Sequence, residues 1–102
     1  MDMKQMMRQA QKMQAELAKA QNEIKDMSAE ATAGGGMVKA VATGDMTIQS
    51  IKLDKDAVDP EDVEMLEDMI VAAVNEALRA VSAQSNARIS AVTGGMNIPG
   101  LM

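Results

Sequence analysis

Three sets of side chains in this 102-residue chain have types and spacing that could do chemistry. Glu61, Asp62, Glu64, Glu67 and Asp68 crowd carboxylates together, the raw material of acid-base catalysis. Asp54, Asp56 and Asp59 suggest the opening of a calcium loop. Lys4, Arg8 and Lys12 recur at every fourth position, so on a helix they share one face and can follow a line of phosphates.

The first two sets fail on their neighbours. The sixth position counted from Asp54 is Asp59 where a calcium loop needs glycine, and the twelfth is Met65 where it needs a bidentate glutamate, so no metal site is expected. The acidic cluster begins at the start of a helix, where carboxylates stabilise the positive end of the dipole, and its reading is structural. The chain has no histidine and no cysteine, which removes the commonest general base, the commonest metal ligand and all thiolate chemistry. Gly34, Gly35 and Gly36 are not a phosphate loop, because no Gly-Lys-Ser/Thr follows them. No catalytic residue, cofactor or small-molecule substrate is therefore expected.

The cations have to be positioned by a long element. Met3, Met6, Ala10, Met13, Leu17, Ala20, Ile24 and Met27 step alternately by three and four residues, which is a heptad seam. It predicts one helix over residues 3–27, a rod of about 37 Å with a narrow apolar stripe. Lys4, Arg8 and Lys12 lie on the face away from that stripe. Residues 29–33, 37–43 and 46–53 read as three strands of an antiparallel meander, the last two joined at Gly44 and Asp45 by a type II′ turn with glycine in its first central place. Asp59 and Pro60 mark the start of a second helix, with Asp59 as cap and Pro60 in the first turn. Its broad apolar face, Val63, Leu66, Met69, Ile70, Ala73, Val74, Ala77, Leu78 and Val81, suits a sheet. From Ser82 to Ser90 that face thins, so this end is expected to project from the core, and Gly94 and Gly95 stop the helix.

The predicted fold is α+β in a single domain: a helical arm over residues 1–28, a three-stranded antiparallel sheet over 29–54, a second helix over 59–92 and a tail over 93–102. Much of a small chain is spent on the arm, there is no Phe, Tyr or Trp, and twelve methionines carry much of the apolar volume. Such a monomer is marginal, and a homodimer is expected. No stretch of about 18 apolar residues is present, so no membrane span is expected and the location read is cytoplasmic.

The net charge of −5 is unevenly spread. Residues 16–76 carry five positive and fourteen negative side chains, whereas the end segments hold Lys4, Arg8, Lys12, Arg79 and Arg88 against Asp2 alone. If the two helices pack side by side they run antiparallel, and their free ends leave the sheet together as a basic arm on an acidic body. Screening over about 8 Å at physiological salt lets the arm act on phosphates despite the body. Single-stranded nucleic acid is usually held by stacking on aromatic rings, of which there are none, so if nucleic acid is the partner it is a duplex; the alternative for Lys4, Arg8 and Lys12 is a solvated helix face.

Four pieces of the chain in order carry a resemblance: MKQMMRQAQKMQ at residues 3–14, GMVK at 36–39, MLEDMIVAAVNEA at 65–77 and GGMNIPG at 94–100. Together they resemble the YbaB/EbfC family of bacterial nucleoid-associated proteins. The resemblance implies a tweezer-like homodimer that binds duplex DNA through its helical arms, alters DNA conformation and associates with the nucleoid, without catalysis. The positions it implies for DNA contact are Lys4, Arg8 and Lys12 on the first helix and Arg88 on the last. The segment from Ser82 to Ser90 departs from the pattern in carrying only one charge. A rival reading from the residues is a non-enzymatic adaptor whose methionine-rich seam holds a DNA-repair or replication protein.

Overall fold

The structure, a computed structural model, describes residues 2–94. In chain order it comprises α1 (Met3–Lys25), β1 (Ser28–Ala33), β2 (Val38–Thr43), β3 (Ile48–Leu53), a 3-10 turn (Lys55–Ala57) and α2 (Val63–Thr93). The tail read over residues 93–102 lies, from residue 95 onward, outside the described residues.

The three strands form one antiparallel sheet in the order β1-β2-β3, as expected for a meander. α2 packs across β1 and β2 and leaves β3 on the open side. The core between helix and sheet is made of Ala29, Val38, Ala40, Ala42, Ala73, Ala77 and Val81. Small side chains on both surfaces let the helix axis come close to the strands, and Leu66, Met69, Ile70, Val74 and Leu78 close the margins. The opposite face of the sheet is polar, with Lys39 of β2 reaching Glu30 of β1 at 3.5 Å.

The apolar residues of β3 do not alternate regularly: Ile48 to Ile51 is an odd step. The sheet resolves this with a bulge. Ile48 pairs with Ala42, Ser50 with Val41, Ile51 with Ala40 and Leu53 with Val38, so one extra residue is absorbed and all three apolar side chains stay on the core face.

Two local expectations need correction. The β2-β3 connection is not a type II′ turn. The Met46 N–H donates to the Thr43 carbonyl at 2.9 Å, the Thr43 N–H donates to the Thr47 carbonyl at 2.8 Å, and Met46 has φ 63°. The loop therefore has three residues and ends in a left-handed one, the common alternative for a hairpin. Gly44 serves another purpose: its N–H donates to the Met27 carbonyl at 3.0 Å, and a Cβ there would stand 1.6 Å from the Ile24 carbonyl oxygen. The end of α1 is docked on this glycine.

The second correction concerns the start of α2. Asp59 and Pro60 form a preceding turn in which the Asp59 carboxylate accepts from the Glu61 N–H at 2.9 Å. The cap is Asp62, which accepts from the Met65 N–H at 3.2 Å, and the helix begins at Val63. Asp54 likewise caps the 3-10 turn through the Asp56 N–H at 2.9 Å. Pairs of Asp residues spaced this closely stabilise successive turns, which explains their density without a bound ion. At the other end Gly94, with φ 67°, caps α2 in the left-handed conformation.

Candidate nucleic-acid interface

α1 begins at a cap. The Asp2 carboxylate accepts from the Gln5 N–H at 2.8 Å, so the one acid among residues 1–15 satisfies a free backbone donor at the helix start. Lys4, Arg8 and Lys12 follow within the next three turns, all exposed. They lie about 6 Å apart along the axis, on the face opposite the seam.

The seam divides in two. Its proximal part, Leu17, Ala20 and Ile24, is half-buried or buried, with α1 against α2. Its distal part is bare among the described residues: Met3 is 77% and Met6 55% exposed. The helices run antiparallel, and the molecule extends 71 Å along its long axis and only 22 and 17 Å across it. The arm is thus real, but it is built unequally, with α1 reaching farther than α2.

That inequality separates the cations. Arg88 donates from Nε to Glu23 Oε2 at 2.6 Å, joining residues 65 positions apart. Glu16, Lys19, Ala91 and Val92 line the same small cleft. Lys4 lies nineteen residues of helix from Glu23, about 28 Å along the axis. Arg79 is engaged locally with Glu76 at 2.8 Å. Lys4, Arg8 and Lys12 therefore form one stripe, and Arg88 stands apart at the base of the arm. The segment from Ser82 to Ser90 leaves the sheet as expected but packs along α1: Ser82, Ser85, Arg88 and Ile89 are half-buried, and the Ser85 hydroxyl donates to the Val81 carbonyl at 2.9 Å.

Sequence reasoning did not single out Glu23. Nothing local marks it, because its partner is supplied by the fold. Its hydrogen bond from Arg88 and the guanidinium charge hold its carboxyl below the usual carboxylate range, and desolvation opposes them only in part. The same contact raises the already high Arg88. Because the folded state lowers the Glu23 pKa, this stabilisation is present above the ordinary carboxylate range and disappears as pH falls through the lowered value. Glu23→Gln is therefore predicted to lower the melting temperature at pH 7. The difference from wild type should close on acidification from about pH 5. A pH-independent difference in circular-dichroism melts would show that the ion pair is not its cause.

The sequence profile of the YbaB/EbfC DNA-binding family matches residues 1–96. This chain belongs to the YbaB/EbfC DNA-binding family. Relatives named nucleoid-associated proteins include one from Thermoanaerobacter pseudethanolicus, 52% identical over 94% of this chain and 86% of its own. Another, from Pelotomaculum thermopropionicum, is 49% identical over 98% of this chain and 95% of its own. The crystal structure of the uncharacterized protein HP0035 from Helicobacter pylori shares the fold. It has a TM-score of 0.68 at 24% identity, covering 84% of this chain and 90% of that one. Family membership agrees with the arrangement of helix, meander and helix. Among the described residues no helix is long and apolar enough to cross a membrane.

Proposed function

We propose that this protein is a nucleoid-associated protein that binds double-stranded DNA as a homodimer and alters its conformation, with effects on nucleoid organisation and gene expression. The observation that carries the reading is the exposed stripe of Lys4, Arg8 and Lys12 on the far face of a projecting helix, in a chain whose family is DNA-binding. These side chains neutralise phosphates. Arg88, half-buried beside Glu23, joins them from the base of the arm with the donors that Glu23 leaves free. Contacts to the backbone position the protein without reading sequence, so site preference is weak.

The dimer is supported by exposed apolar side chains on β3 and on α2. Ile51 and Leu53 of β3 are 43% and 42% exposed, and Val63 and Val71 of α2 are 52% and 58% exposed. A second copy covering these residues would set two arms at a fixed span, in the manner of tweezers. Light scattering at micromolar concentration should give the mass of a dimer, and a monomer mass would overturn this part. The rival adaptor reading, with a DNA-repair or replication partner held on apolar surface, predicts capture that does not depend on the cations.

The test is a titration of a fluorescently labelled duplex of random sequence, read by anisotropy at several salt concentrations. If about four arm cations of a dimer meet phosphates, the logarithm of affinity falls with the logarithm of salt at a slope near −3.6. A slope near zero, or no binding at low salt, would overturn the reading.

A further inference from the structure

We propose that the open face of the sheet is a second phosphate-binding surface for duplex DNA, centred on Lys39 and Lys52. This rests on the DNA-binding reading and extends contact from the arm to the body. In the register of the sheet Thr32 of β1 stands beside Lys39 of β2, and Lys39 stands directly opposite Lys52 of β3. Cross-strand partners share a face. Val38 and Ala40, on either side of Lys39, are buried against α2, so the row lies on the face turned away from that helix. Thr32 and Lys52 are exposed, and the Lys39 side chain is 43% exposed.

Like charges in direct opposition destabilise a sheet. Glu30 meets Lys39 at 3.5 Å, but among the described residues no carboxylate lies within ion-pair reach of Lys52. The next pair along the same face, Val41 with Ser50, brings no acid to it either. β3 is an edge strand, and a charge there guards the edge against pairing with another chain. Glutamate at position 52 would guard it equally and would also attract Lys39, so edge protection does not account for lysine. A bound anion does. A backbone phosphate between the two ammonium groups relieves their repulsion and accepts charge-assisted hydrogen bonds from both, with the Thr32 hydroxyl as a further donor. Ile51 and Leu53, the apolar side chains of β3 offered to a second copy, pair with Ala40 and Val38 on the other face, so dimerisation through them leaves the row open.

The test is Lys52→Thr in the full chain, with Lys55→Thr as the control that removes the same charge from the 3-10 turn after β3. Threonine suits a strand and ends the repulsion, so Lys52→Thr should melt about 1–5 °C above wild type. The same variant should bind the random-sequence duplex at least about fivefold more weakly at ~0.1 M salt, with a salt slope shallower by about 0.9 for each phosphate contact removed. Lys52→Arg keeps the charge and should bind within about twofold of wild type. A loss no greater in Lys52→Thr than in Lys55→Thr would overturn the proposal while leaving the arm contacts standing. So would a lower melting temperature for Lys52→Thr, or a loss of binding in Lys52→Arg equal to that in Lys52→Thr. Absence of wild-type binding at low salt would overturn the DNA-binding reading itself, and this proposal with it.

Discussion

Reversing Lys4, Arg8 and Lys12 to glutamate is expected to weaken duplex binding by at least about a hundredfold at ~0.1 M salt, since each phosphate contact contributes about tenfold there through counterion release. The reversal also places acids where phosphates would approach, so attraction becomes repulsion. The slope of affinity against salt should flatten toward zero in the same experiment. The fold should be spared. All three side chains are exposed, and a glutamate at position 4 lies in the first turn of α1, where negative charge favours the helix. An unchanged circular-dichroism melt would confirm that the loss is electrostatic. Less than threefold loss with an unchanged slope would locate the contact elsewhere on the molecule. The adaptor reading predicts a different result, because capture through an apolar surface survives these reversals.

Gly44→Ala should damage the protein far from any cation. The added Cβ would meet the Ile24 carbonyl carbon at 2.6 Å and its oxygen at 1.6 Å, and both are backbone atoms that cannot swing aside. The end of α1 would have to lift from the β2-β3 loop, breaking the hydrogen bond from Gly44 to Met27. A cost of at least about 3 kcal/mol is expected, which in a domain of this size lowers the melting temperature by about 12 °C or more. Gly35→Ala is the matched control. Its φ of 69° also disfavours a side chain, but no heavy atom lies within 4 Å of the new Cβ, so only the backbone strain of about 1 kcal/mol applies. Equal losses in the two variants would refute the docking role of Gly44. The second variant tests conformational freedom and the first tests close approach, which the amino-acid type alone does not distinguish.

The contrast between those two glycines also marks how far the chain could be read before its structure. The long helix, the three strands and the second helix were legible, because periods of 3.6 and 2 report which face of an element is buried whatever buries it. The resemblance of the four sequence pieces pointed to the family that the comparisons then established. The stripe of Lys4, Arg8 and Lys12 was legible for the same reason, being a property of one helix. Turn chemistry was read less well. Asp59 and Asp62 both satisfy the local rule for a cap, and only the path of the chain into α2 selected Asp62. Gly44 looked like a turn glycine until α1 was seen to press on it. The charge pattern groups Arg88 with the first-helix cations at one basic tip, whereas the relative offset of α1 and α2 puts it beside Glu23. Local pattern encodes the period and facing of an element, because those depend on residues within a few turns. Offsets between elements, and hence which charge meets which, depend on contacts between residues as far apart as 23 and 88, and these exist only once the helices have packed.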